Sequence, residues 1–151
     1  MKSIYYLLSL LSGLAIATQV AINGKLRSNL GDPMLTSFIS FSIGAIALAI
    51  GFFLSLTYGI GAKPTLASIK STSWWMWTGG IFGAFYVFTT IIAPPKIGFA
   101  NMISLVIGGQ IFLTVVFDHF GAFGAAIHHI SPLRALGIVL LVAGVYIIQT
   151  H

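Results

Sequence analysis

Two carboxamides stand four residues apart in an otherwise apolar stretch: Gln19 and Asn23 of ATQVAINGKLR. A second apolar stretch, NMISLVIGGQIFLTVVFDHFG, carries Gln110, Thr114 and Asp118 at i, i+4 and i+8, with Asn101 at its head. At 100° per residue, Ser12, Gln19 and Asn23 fall within about 40° of one another on a helix, a polar stripe at i, i+7 and i+11. Amides and hydroxyls hydrogen-bond but do not titrate. The stripe therefore either glues one helix to another or lines a path for a substrate that accepts and donates hydrogen bonds. Asp118 differs. It ends its helix, where the dipole disfavours a carboxylate, so it needs a compensating partner. Arg134 opens the last helix on the same membrane side, an equally poor place for a cation. Pairing would relieve both, and Asp118 and Arg134 are the candidate gate or coupling pair; two separately solvated charges are the alternative.

The remaining chemistry is excluded one class at a time. No Asp, Glu, Lys or His lies deep in an apolar stretch, so the buried carboxylate that a proton-coupled carrier of bulky cations needs is missing. Zero cysteines exclude disulfides, thiolate metal sites and cysteine nucleophiles. His119, His128 and His129 fall in the last long loop with the wrong spacing for a metal and no carboxylate support, so neither metal nor cofactor is expected. No Ser/His/Asp grouping and no Gly-rich phosphate loop is present, and the chain is not read as an enzyme. The seven basic residues are thinly spread, which argues against a nucleic-acid partner.

The elements that must carry these residues follow from composition. The 151 residues are 58% hydrophobic and 6% charged, with a mean hydropathy of +1.03; a soluble domain carries about 25% charged residues. The solvent of most of this surface must be lipid. A spanning helix needs about 20 apolar residues, and five stretches qualify: roughly 4–22, 34–58, 74–93, 97–117 and 132–149. The expectation is an all-α integral membrane protein, one membrane domain over 1–151. Asp32-Pro33 and Ser131-Pro132 each set an N-cap before a proline at the first helical position. Trp74, Trp75 and Trp77 read as an interfacial aromatic belt. Lys2 before an apolar run, with Ala15-Ile16-Ala17, also fits a cleaved signal, but the run is long for one and an uncleaved first helix is expected. Small residues mark helix-packing positions in the first, second, third and fifth spans: Gly13 in a row with Ser9, Ala17 and Ala21, Gly44 with Ser37, Ser40 and Gly51, Gly79 with Gly83, and Gly137 with Gly144.

Five spans put the termini on opposite sides. Lys2, Lys63, Lys70 and Arg134 then face one side, and Lys25, Arg27 and Lys96 the other. Four against three is almost no bias for the positive-inside rule. The chain inserts weakly with its N-terminus inside, or it inserts both ways.

In this order along nearly the whole chain, the motifs TQVAINGKLR, SFISFSIGAIAL, GGIFGAFYV, PPKIGFANMISLVIGGQIFLTVVFDHFGAFG and SPLRALGIVLLVAGV resemble the YdcZ-like family of the drug/metabolite transporter superfamily. The positions that carry the likeness are Gln19, Asn23, Pro95, Gly98, Ala100, Gly109, Gln110, Asp118, Gly121, Gly124, Pro132, Arg134 and Gly137. The resemblance implies a bacterial inner-membrane, multi-pass exporter of small molecules. The related small multidrug resistance proteins use a membrane-embedded Glu in the first helix, where this chain has amides. Five helices make one half of an inverted-repeat transporter, so the half is expected to pair with a second copy of itself, antiparallel, or with a sister subunit. The leading reading is a dimeric carrier working by alternating access. Gln19, Asn23 and Gln110 line the path, Ser12, Asn101 and Thr114 are weaker candidates, and the substrate is small and neutral or amphipathic. The alternative is a non-transporting accessory subunit, whose amide stripe serves complex formation. A passive channel is a third reading.

Overall fold

The computed structural model describes residues 2–60, 63–124 and 126–150. Among these every regular element is helical: α1 (Lys2–Leu30), α2 (Pro33–Thr57), α3 (Leu66–Ser71), a 3-10 turn (Trp74–Thr78) running into α4 (Gly79–Ile92), α5 (Pro94–Ile97), α6 (Phe99–Phe120) and α7 (Pro132–Thr150). Five helical stretches are long and apolar enough to cross a membrane, and each overlaps one of the five expected from sequence. The contacts divide into two compact units, Met1–Ile92 and Ala93–His151.

In the first unit α1 packs on α2 and α4, and α2 packs on α4. α1 runs eight residues past the expected end of the first span, to Leu30, so Lys25 and Arg27 are helical rather than part of a loop. Lys, Arg, Leu and Ser tolerate a helix well enough that only Gly31 stops it. Its φ of 77° lies where a Cβ is disfavoured, and its N–H closes on the Arg27 carbonyl at 2.8 Å. The Asp32 side chain then accepts from the Leu35 N–H and Pro33 fills the first position of α2, the start that the sequence specifies. Val20, Thr36, Val87, Thr90 and Ile91 are buried at the meeting of these helices. Both threonines spend their hydroxyls on their own helix, Thr36 on the Asp32 carbonyl at 2.7 Å and Thr90 on the Val87 carbonyl at 2.8 Å. The break before the third span holds the short α3, which a reciprocal Thr65–Ser68 cap starts. The tryptophan cluster forms the 3-10 turn and is exposed.

In the second unit α6 lies along α7. α6 ends at Gly121, left-handed at φ 62°, whose N–H reaches the Phe117 carbonyl. Ser131 accepts from the Arg134 N–H at 3.2 Å at the start of α7, again as the sequence specifies.

Candidate functional site

Gln19 and Asn23 come to different ends. Asn23 is 4% exposed, and its Nδ2 donates to the Ser40 Oγ of α2 at 3.1 Å. That amide is interhelical glue. One turn earlier, Gln19 makes no such bond among the described residues. It lines a cavity of about 340 Å³ between α1, α2 and α4, together with Ser40, Phe41, Gly44, Tyr86 and Val87. A second cavity of about 490 Å³ on the same seam shares Gln19, Ser40 and Gly44 and reaches Asn23. Gln19 is thus common to both, as the free polar group of the α1 stripe. Both volumes lie in the range of small-molecule sites, roughly 300–1,000 Å³. No charged residue lines either.

Two polar groups of the first unit escape sequence reasoning. Tyr86, inside the apolar GGIFGAFYV, reads as filler, yet its hydroxyl is buried without a hydrogen-bond partner among the described residues. Arg27 reads as a loop cation, yet its guanidinium donates to the Ile91 carbonyl at 3.1 Å. The signal for that contact is in the sequence. In an α-helix the Ile91 carbonyl would receive the N–H of residue 95, and residue 95 is a proline. Arg27 replaces the missing donor at the C-terminal end of α4, where a cation is also electrostatically favoured.

The remaining candidates divide by element. Ser12 is exposed and bonds the Leu8 carbonyl of its own helix at 2.9 Å. Thr114 likewise bonds the Gln110 carbonyl at 2.9 Å. Gln110 is exposed on α6, and Asn101 is partly exposed near its start. Of the packing glycines, Gly83 is closely approached: a Cβ there would come within 3.2 Å of the Phe41 ring. Gly13, Gly44, Gly79, Gly137 and Gly144 have open space where a Cβ would stand.

In the second unit Arg134 Nη2 meets Asp118 Oδ2 at 2.8 Å, with both side chains near 40% exposed. The expected pair forms, and it does more than neutralise two charges. Arg134 Nη1 also donates to the His128 carbonyl at 3.1 Å, and the His128 N–H donates to the Asp118 carbonyl at 2.8 Å. The Ile130 N–H reaches His119 Nδ1 at 3.3 Å. The loop between α6 and α7 is therefore tied to both helix ends around one ion pair.

Five apolar helices of spanning length, two uncharged clefts and an ion pair at a helix end define a multi-pass membrane protein with room for a small ligand. The chain belongs to the family described as "Putative inner membrane exporter, YdcZ", which matches residues 4–147. It is a multi-pass inner-membrane protein of that family. It is 24% identical over 140 residues to "Inner membrane protein YdcZ" of Escherichia coli (strain K12), covering 89% of this chain and 90% of that one. No solved structure matches it.

Proposed function

We propose that the chain is one half of an alternating-access exporter for small uncharged or amphipathic molecules, and that it works as an antiparallel homodimer or with a sister subunit. The observation that carries this reading is the uncharged cleft of α1, α2 and α4, with a free amide at Gln19 in walls that are otherwise largely apolar. Nothing in those walls pairs a full charge, which suits a neutral cargo. Gln110 is assigned to the path by its exposure on α6 beside Gly108-Gly109. Asp118 and Arg134 serve as a latch. A half-exposed pair is worth about 0–1 kcal/mol, little enough to break and reform in each cycle. Export is not an enzyme class, and the chemistry needed here is binding, desolvation and release.

The need for a second subunit comes from the size of the unit. Transport folds of this kind enclose their site between two repeats of opposite orientation, and five helices supply one repeat. The near-equal basic charge on the two loop sides permits the inverted copy to be the same chain.

The test is counterflow in liposomes across a panel of uncharged metabolites and amphiphiles. A carrier gives saturable uptake that is accelerated by substrate on the far side; an accessory subunit gives no flux and a channel gives flux without saturation. Gln110→Leu should abolish counterflow with insertion intact, and normal flux in that variant would remove Gln110 from the path.

A further inference from the structure

The loop between α6 and α7 hangs on a group whose charge can change. The Ile130 N–H donates to His119 Nδ1 at 3.3 Å. An imidazole nitrogen accepts only when it carries no proton, so the bonded ring is neutral with its own proton on Nε2. His119 also stands in the last turn of α6, where the helix dipole favours a cation. The loop bond and the helix end therefore favour opposite charge states of one ring. The ionisable groups around it are Asp118, its neighbour on α6, His128 and His129 of the loop, and Arg134 of α7. The His129 ring stands edge-on to His119 with centroids 5.3 Å apart, so charging both rings adds repulsion. The other ionisable side chains described in this unit, Lys96 and Tyr146, lie before α6 and near the far end of α7. Two residues from Ile130, the His128 carbonyl accepts from Arg134 Nη1 at 3.1 Å and the His128 N–H donates to the Asp118 carbonyl at 2.8 Å. A change at Ile130 is thus passed along the loop to the ion pair.

We infer that the α6–α7 loop is a proton-operated latch and that His119 is its switch. The neutral ring holds the Ile130 N–H, and the loop in turn holds the His128 carbonyl on Arg134. A proton taken from water onto Nδ1 turns that acceptor into a donor facing another N–H. The Ile130 bond is lost, the loop is released from α6, and Arg134 loses the His128 carbonyl while keeping Asp118. The direction follows by linkage. The latched loop holds the deprotonated ring, so release takes up one proton and is favoured as pH falls. Imidazole changes charge between about pH 5 and 8, and histidine clusters switch contacts in this way. The effect of the latch on transport rests on the carrier reading; the switch itself does not.

The experiment uses the full-length chain in phospholipid nanodiscs with one nitroxide label, carried by Ile127→Cys at an exposed position of the loop. No native cysteine competes for the label. The ratio of mobile to immobile label is read from the spectrum between about pH 8 and pH 5. Loss of one net hydrogen bond should raise that ratio roughly threefold to tenfold as pH falls. His119→Asn keeps an acceptor oxygen near the Nδ1 position and takes up no proton, so its label should stay immobile across the range. His119→Leu has no acceptor, and its label should be mobile throughout. His128→Asn and His129→Asn leave the Ile130 bond in place and should keep a response to pH. A native label equally mobile at both ends of the range overturns the switch. So does a response that survives His119→Asn, which would move the titrating group to His128, His129 or Asp118. Counterflow at equal pH on both sides of the liposome keeps this test apart from the carrier reading. A loop response that depends on His119 in a chain without counterflow removes the carrier and keeps the switch. Counterflow with one pH profile in the native chain and in His119→Asn keeps the carrier and removes the switch from transport.

Discussion

Asn23 and Gln19 are one helical turn apart and chemically alike, and the structure gives them different tasks. Asn23 is closed off by Ser40, whereas Gln19 opens into both cavities. Interhelical hydrogen bonds in membranes are worth about 0.6 kcal/mol on average and at most about 1.7. Asn23→Leu should therefore lower stability by about that amount, and Ser40→Ala by no more. The double variant should cost no more than the larger single loss, because both remove one bond; thermal unfolding in detergent checks this. Gln19→Leu should leave unfolding unchanged and reduce counterflow. The sequence shows both amides and cannot divide them, because the partner of Asn23 lies seventeen residues away on another helix. Tyr86 is hidden for the opposite reason. Nothing in its neighbours by sequence marks it, and its significance comes from what fails to reach its hydroxyl.

At the level of elements, helix starts are legible and helix ends less so. Asp32-Pro33 and Ser131-Pro132 announce α2 and α7 because a cap is local chemistry. The end of α1 is harder to read, since KLRSN looks like a loop by charge and folds as helix until Gly31. The end of α4 is set by Pro94-Pro95, and its repair comes from Arg27. That repair is testable. Arg27→Leu leaves the Ile91 carbonyl buried without a donor and should cost about 1–3 kcal/mol. Pro95→Ala restores an N–H at that position, so the double variant R27L/P95A should recover much of the loss, measured by unfolding in detergent; no recovery would mean that Arg27 acts elsewhere. The ion pair between α6 and α7 also belongs to this scale. D118R or R134D alone sets like charges together and should impair transport. The double reversal restores the attraction and also puts the acidic group at a helix N-terminus and the basic group at a C-terminus, the arrangement that the dipoles favour. Transport should return in D118R/R134D, and failure of the double variant to recover would refute the latch.

At the scale of the whole molecule, the five spans were legible because lipid demands long apolar runs, a requirement that every residue of a span helps to meet. Their division into two contact units was not, since it depends on which faces meet. The glycines at 13, 44, 79, 137 and 144 show the same limit. Their type suits close helix packing, but what approaches them is a matter of partners. Orientation follows from loop charge, which is nearly balanced. With no native cysteine to interfere, one cysteine replacing His151 can be labelled by an impermeant thiol reagent in intact and then opened cells. About half the molecules labelled from each side is the expected outcome for an antiparallel homodimer; labelling from one side alone calls for an oppositely oriented sister chain. The measurement to make first is counterflow by the purified chain, alone in liposomes, across a panel of uncharged amphiphiles, with Gln19→Leu in parallel at matched insertion. Saturable counterflow that is lost in Gln19→Leu is the predicted result. Counterflow indifferent to Gln19 would contradict a carrier built around this cleft, and properly inserted protein that gives no counterflow would contradict its homodimer form.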